Sequence, residues 1–362
     1  MKRYFVFLLI SYTFLHFCSF SQYQKNNKNV ESVIDSILIE FNNDKTSGAA
    51  VLVLKNNKVL FCKGYGLANL ESHERINEFT NFRLASISKQ FTAMCIMILK
   101  ERGKLKYENS ITDIFPEFPD YGSRITIKHL LQHTSGLVDY EDMLADTVTI
   151  QVHDDDVLKM MASIDSTYFI PGSKYKYSIS GYAILAMIVE KVSGKRYANF
   201  LRDYIFKPLK MKNSVAYEKG ISVIKNRAIG YYKKDNEFIE RDQSSTSAVL
   251  GDGGIYCSLV DYKKWDNSLY TNKLVSQKTL DEAFSQAILN DGTSINYGFG
   301  WFINYVNGIK VLEHGGSTCG FTNYVIRIPE RRITAIILTN RYGETKLSDY
   351  CKSIINLFEK IF

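Results

Sequence analysis

The chain has 362 residues, is 45% hydrophobic and 13% aromatic, and holds only five prolines and six cysteines. That composition excludes a disordered chain, a collagen-like repeat and a small disulfide-stapled scaffold. The formal charge is +7, yet no Lys/Arg block reaches five or six residues, so nothing points to a nucleic-acid partner.

Met1-Lys2-Arg3 is a short basic start, Tyr4 to Phe17 is almost uninterrupted apolar, and Ser19-Phe20-Ser21 ends the run with small residues at −3 and −1. This predicts a signal peptide over 1–21, a mature chain over 22–362 with a charge of +5, and export to the periplasm or beyond. About 14 apolar residues fall short of the roughly 20 that span a bilayer, so no transmembrane anchor is expected in the mature protein. The bulky pair His16-Phe17 makes Cys18 a poor lipidation site. Residues 30–41 carry apolar side chains at helical spacing. Residues 48–66 read as a hairpin, AAVLVL and VLFCKGYG around Asn56-Asn57. Ser86 to Arg102 reads as a helix ended by Gly103. From about 105 to 290 the pattern is mainly helical, with segments at Asp156–Ser163 and Tyr182–Val192. Strand patterns return in YGFGWFINYV, GIKVLEH, FTNYVIRI and RRITAIILTN, and a final helix is expected over about 345–361.

Strands at both ends with helices between them predict an α+β fold, an antiparallel sheet flanked by terminal helices plus a mainly helical lobe. The sheet lobe would take about 30–85 and 295–362, the helical lobe about 86–294. After the leader, Cys62, Cys95, Cys257, Cys319 and Cys351 remain. The count is odd and no C-x-x-C occurs, so neither a disulfide framework nor a zinc site is implied. No metal and no cofactor is expected.

Three segments carry chemistry. Ser86-Ile87-Ser88-Lys89 is an S-x-x-K at a helix start, and positions i and i+3 share a face, so the hydroxyl and the amine can meet. Backbone N–H groups of a first helical turn lack partners and can serve an oxyanion. The pattern recurs at Ser173/Lys176 and Ser222/Lys225, and by itself Ser86 reads more readily as a helix cap beside a surface lysine than as a catalytic residue. Tyr177 precedes an apolar helix in a loop that can present its hydroxyl, although a core tyrosine is the commoner outcome in a chain with 24 of them. Glu313-His314-Gly315-Gly316-Ser317 ends a strand, and the paired glycines let another backbone approach its edge.

Taken together and in order, FRLASISKQFTAM, LLQHTSGL, PGSKYKYSISGY and EHGGSTCGF resemble the serine beta-lactamase-like family, which groups class C beta-lactamases, penicillin-binding proteins, D-aminopeptidases and esterases. YGFGW and GDGGIYCSLVDYKKW also look like family blocks, so the resemblance runs over about 30–360. It implies a beta-lactamase/transpeptidase-like fold with the site between two lobes. It implies Ser86 as the acylated nucleophile, Lys89 hydrogen-bonded to both Ser86 and the tyrosine, and Tyr177 as general base. Ser86 and Ser317 would supply oxyanion N–H groups beside Gly316, and His314 would stand where the family has the lysine of K-T-G. The pair His129/His133 falls on the family's H-T-S-G-L block, which favours a structural loop over a metal pair. His153 beside Asp154, Asp155 and Asp156 reads as an acidic helix start. Two departures are informative. Ile179 replaces the Asn of Y-x-N and offers neither donor nor acceptor. His314 binds a substrate carboxylate less well than an ammonium would. The expectation is therefore an exported serine hydrolase acting on an amide or ester in a small molecule or peptide, with esterase or peptidase character rather than efficient beta-lactamase activity. The alternative is a weakened penicillin-binding-like protein that holds cell-wall peptide or another ligand. The walls that set specificity would come from about 139–170 and 215–250, and no oligomeric state is implied.

Overall fold

The computed structural model describes residues 29–145 and 147–362. The expected signal peptide and Cys18 lie outside the described residues. Two strands, β1 (Ala49–Lys55) and β2 (Lys58–Tyr65), form the expected hairpin. Asn56 and Asn57 both have positive φ, 49° and 65°, as a tight two-residue turn matched to the strand twist requires. Four later strands form a meander, β3 (Phe302–Val306), β4 (Ile309–Thr318), β5 (Phe321–Ile328) and β6 (Ile333–Thr339). β1 pairs with β6 from Ala49↔Thr339 to Lys55↔Ile333, giving one antiparallel sheet in the order β3-β4-β5-β6-β1-β2. The two ends of the chain thus build one sheet.

β1 is apolar on both faces because both are covered. Ala50, Leu52 and Leu54 join a core with Ile336, Leu338 and the helical region, whereas Ala49, Val51 and Val53 join a second core with Ala335 and Ile337. The second core is closed by Ile34 and Leu38 near the N-terminal helix α1 (residues 29–37) and by Leu347, Cys351, Ile354 and Ile355 of a C-terminal helix. Three helices of the central region matter for the site: α2 (Lys89–Glu101), α3 (Asp154–Ala162) and α4 (Ile179–Ser193). α4 ends as its sequence predicts, with Gly194 in the left-handed region at φ 67°. The C-terminal helix, α5 (Leu347–Asn356), is shorter than expected.

Two details depart from the sequence reading. Ala85–Ser88 is a separate 3-10 turn, so the α-helix proper begins at Lys89. The central region also contains short strands: Phe82–Arg83 and Val215–Ala216 flank Ile255–Cys257, and Tyr231–Lys234 pairs with Glu237–Glu240. Strands of two to four residues carry too little period-two pattern to stand out in a sequence. Among the described residues no helix is long and apolar enough to cross a membrane.

Candidate active site

α2 is the element around which the site is arranged. Every residue from Lys89 to Leu99 is buried, and the helix packs against α4 and the turn Ala85–Ser88. Lys89 is its first residue and is fully buried. Its Nζ donates to Ser86 Oγ at 3.0 Å and to the Asp252 carbonyl oxygen at 3.0 Å. Ala85, just before the serine, has φ 51°, a left-handed backbone that an alanine adopts only when its surroundings impose it.

Tyr177 stands on the far side of Lys89. The Nζ lies 5.0 Å from the Tyr177 ring centroid and 5.6 Å from that of Tyr182, a cation held over two aromatic faces. The Tyr177 hydroxyl is buried without a hydrogen-bond partner among the described residues. The expected Lys89–Tyr177 hydrogen bond is therefore not formed: Nζ meets the face of the ring, and its hydrogen bonds go to Ser86 and Asp252. Behind Tyr177 lies the His133 ring, 4.1 Å away centroid to centroid, and its Nδ1 accepts from Ser178 N–H at 3.1 Å. Burial, with the nearby Lys89 charge, holds His133 well below the usual imidazole range. His129 instead accepts from Thr126 N–H at 3.2 Å and caps a short helix. His153 precedes α3, where Asp156 accepts from its N–H at 3.1 Å. His129 and His133, at the two ends of H-L-L-Q-H, thus have separate jobs, and no group of three His, Cys, Asp or Glu residues among the described ones could hold a metal ion.

The wall opposite is the end of β4. β3 pairs with β4 only from Ile309 to Glu313, so residues 314–318 run on with that edge open toward the serine turn. Gly316 makes the approach. A Cβ there would lie 2.3 Å from the Leu84 carbonyl oxygen and 3.2 Å from Ser86 N, contacts only glycine avoids. Ser317 comes next and lines the same cavities as Ser86.

His314 differs from expectation in a way that its hydrogen bonds explain. Its Nδ1 lies 2.6 Å from the Gly315 carbonyl oxygen and its Nε2 lies 3.0 Å from the Tyr297 hydroxyl. A carbonyl can only accept, so Nδ1 carries the proton, and in the neutral ring Nε2 accepts from Tyr297 O–H. Burial pushes the pKa down to about 3. With both nitrogens engaged and no charge, His314 is not a weaker substitute for a carboxylate-binding lysine; it shapes and braces the wall. Tyr297, the first residue of YGFGW, is the partner that the sequence reading left without a role.

Ser86 lies where two cavities meet. One, of about 440 Å³, runs past Tyr177, Phe302, His314 and Tyr324 to Glu344 and Leu347, and no Lys or Arg lines it. The other, of about 110 Å³, includes Ile179, Glu141, Asp252, Arg83 and Ser317, and through Glu141 and Ser317 it adjoins a third cavity of about 430 Å³ bordered by Arg241, Ser244 and Cys319. Ile179 opens α4 and its N–H donates to Asp139 Oδ1 at 3.1 Å, so its side chain brings only hydrocarbon to the serine.

An α+β fold with a half-buried serine on a buried lysine, between an open strand edge and a tyrosine, defines a class, and comparison with known proteins agrees. The family model described as Beta-lactamase matches residues 34–358, and the chain belongs to that family. It is 34% identical over 326 residues to Penicillin-binding protein 4* of Bacillus subtilis (strain 168), an alignment covering 86% of this chain and 71% of that protein. It is 31% identical over 257 residues to the putative penicillin-binding protein PbpX of the same organism, covering 71% and 62%. Among solved structures, the octameric penicillin-binding protein homologue from Pyrococcus abyssi superposes with a TM-score of 0.77 at 26% identity, over 91% of this chain and 77% of that one.

Proposed function

We propose that this protein is an exported serine hydrolase that cleaves an amide or ester through an acyl-enzyme on Ser86. The observation that carries the reading is the 3.0 Å contact between Ser86 Oγ and the buried Lys89 Nζ, at a point where two cavities converge. Ser86 Oγ attacks the substrate carbonyl carbon while its proton passes to Lys89 Nζ, 3.0 Å away, which takes it as the neutral amine, with Tyr177 beside Nζ as the general base that the family resemblance implies. The same proton is then delivered to the departing nitrogen or oxygen as the scissile bond breaks. Water repeats the sequence on the acyl-enzyme and releases the acid. The N–H groups of Ser86 and Ser317 would hold the oxyanion, a contribution of roughly 3–4 kcal/mol per donor to the barrier. The Tyr177 hydroxyl is buried without a partner among the described residues, in a side chain that lines the cavity containing Ser86, which supports a role for it in the proton transfer.

Esterase or peptidase character, rather than efficient beta-lactamase activity, rests on two features. The cavity on the His314 side has no Lys or Arg to receive a carboxylate, and its charged residue is Glu344. On the other side Ile179 cannot hold an acyl-amide carbonyl. Residues 22–362 are read as one catalytic unit of two lobes, because Ser86, Tyr177 and the 314–317 edge come from separate stretches of chain. Export rests on the pattern over 1–21 alone. A second reading, a non-hydrolytic relative that binds cell-wall peptide, is favoured by Ile179.

Treatment of the mature protein with a fluorophosphonate and with a labelled penicillin, with Ser86→Ala as control, separates them. Fluorophosphonate labelling of Ser86 with weak penicillin labelling is expected. A folded protein that takes neither label is the binding relative.

A further inference from the structure

The acidic start of α3 holds three carboxylates with two different fates. Asp155 and Asp156 reach the surface and pair with Lys159. Asp154, the first residue of α3, is buried. Its Oδ2 accepts from Leu250 N–H at 2.8 Å and its Oδ1 from Gly251 N–H at 2.9 Å. Those are the first two N–H groups of a helical turn, Leu250–Gly253, and Val249, the residue before it, makes no side-chain cap. A carboxylate almost a hundred positions away therefore does the capping, and each N–H it satisfies would otherwise be a buried orphan. Burial pushes the Asp154 carboxyl up to about 8 with the Asp252 and Glu190 charges adding to the push, and the two N–H bonds oppose it. The buried tyrosines Tyr140 and Tyr197 also face it.

The turn held in this way supplies the second acceptor of the buried lysine, because the Asp252 carbonyl oxygen accepts from Lys89 Nζ at 3.0 Å. Its remaining ties run to the nucleophile's own stretch of chain. Thr92 Oγ1 donates to the Gly251 carbonyl at 2.6 Å, and Ser88 Oγ accepts from Ile255 N–H at 3.3 Å. A Cβ at Gly251 would stand 2.3 Å from the Tyr182 carbonyl oxygen, so the turn lies directly on α4. Asp154 is thus the anchor that comes from α3. The orientation of Nζ depends on it. A carbonyl can only accept. As the neutral amine, Lys89 has two N–H groups and one lone pair. With one N–H fixed on the Asp252 oxygen, the lone pair is left to turn toward Ser86 O–H.

We propose that Asp154 is a positioning residue for acyl transfer: it holds the turn Leu250–Gly253 so that the Asp252 carbonyl orients the Lys89 amine on Ser86. It acts through the turn and touches neither the nucleophile nor the substrate. The proposal rests on the serine-hydrolase reading and adds a third element, α3, to the machinery of that site.

The test uses p-nitrophenyl acetate and a fluorophosphonate at pH 9, where the Asp154 carboxyl is ionised. Asp154→Asn keeps the shape and turns one acceptor into an amide that faces an N–H. It should lower kcat about tenfold with KM within about twofold of wild type. Asp154→Ser keeps one oxygen for the turn and replaces the Asn variant if that chain does not fold. Asp155→Asn, on the surface, should change neither constant. A double-mutant cycle then separates positioning from a general loss of structure. In wild type, Asp154→Asn should slow the labelling of Ser86 about tenfold, and in Lys89→Met it should slow it less than about twofold. Equal slowing in both backgrounds, or a rise in KM with kcat unchanged, overturns this proposal and leaves the hydrolase reading standing. No labelling of Ser86 in the wild type overturns both.

Discussion

The two arms of the cleft meet at Ser86 and are built differently. The arm past His314 is walled by Tyr177, Phe302, Tyr324 and Leu347, and its histidine is neutral with both nitrogens occupied. The arm past Ile179 holds Glu141, Asp252, Arg83 and several hydroxyls. An uncharged, largely apolar fragment suits the first, and a charged, polar fragment suits the second. The difference teaches that positions 179 and 314, the two departures from the family pattern, sit in separate cavities that meet at Ser86. The cavity past His314 has no Lys or Arg in its lining, and the charged residues of the cavity past Ile179 are Arg83, Glu141 and Asp252.

The comparison stands on Ser86 as the common point, so its removal should have the largest effect. Ser86→Ala is expected to lower kcat for any ester substrate by at least about 10³-fold with the fold intact by circular dichroism. Gly316→Ala tests the close approach of β4 to the serine turn. With a Cβ 2.3 Å from the Leu84 oxygen the strand must move, and kcat/KM should drop about 10²-fold, with a stability loss of about 1–3 kcal/mol in denaturant unfolding. Ile179→Asn probes the polar arm by restoring an acyl-amide anchor. Amide or beta-lactam turnover should rise relative to ester turnover by up to about tenfold, and a ratio that does not move would remove Ile179 from the account.

Two smaller effects address the apolar arm. Tyr297→Phe leaves His314 Nε2 buried without a donor and should cost about 1–3 kcal/mol of stability while changing kcat/KM only a few-fold. The pH dependence follows from the same ring. His314 has a folded pKa of about 3 against roughly 6.5 unfolded, so its neutral form favours the fold. Its contribution is complete above about pH 6.5 and is lost as the pH falls toward 3, because the unfolded chain takes up the proton first. The melting temperature of wild type minus that of His314→Gln should therefore decrease on going from pH 7.5 to pH 4.5.

Much of the fold was legible because its elements are long and regularly patterned. The hairpin at 48–66, α4 with its Gly194 stop and the last three strands all show their period and their ends in the sequence. The short strands around Ile255–Cys257 and the 3-10 turn at Ala85–Ser88 were not legible, since tertiary contacts rather than local pattern hold them. For the site, S-x-x-K placed Lys89 three residues from Ser86 on one face, and helix geometry alone carried that expectation to the observed 3.0 Å contact. The bond to Tyr177 was not decided that way. Its partner lies 88 positions along the chain, and packing against His133 set the ring face, not the hydroxyl, toward the lysine.

The sequence by itself determined the family, the order of the motifs and the chemistry of each side chain, including the absence of a polar group at Ile179. Only the tertiary structure decided which of those groups meet and in what protonation state. Burial and two fixed hydrogen bonds made His314 a neutral brace, and the clamp between Asp139, Tyr140 and the start of α4 set Ile179 in the wall of the cavity that contains Ser86. Both outcomes depend on solvent exclusion and on contacts across the chain, which no local pattern of residues encodes.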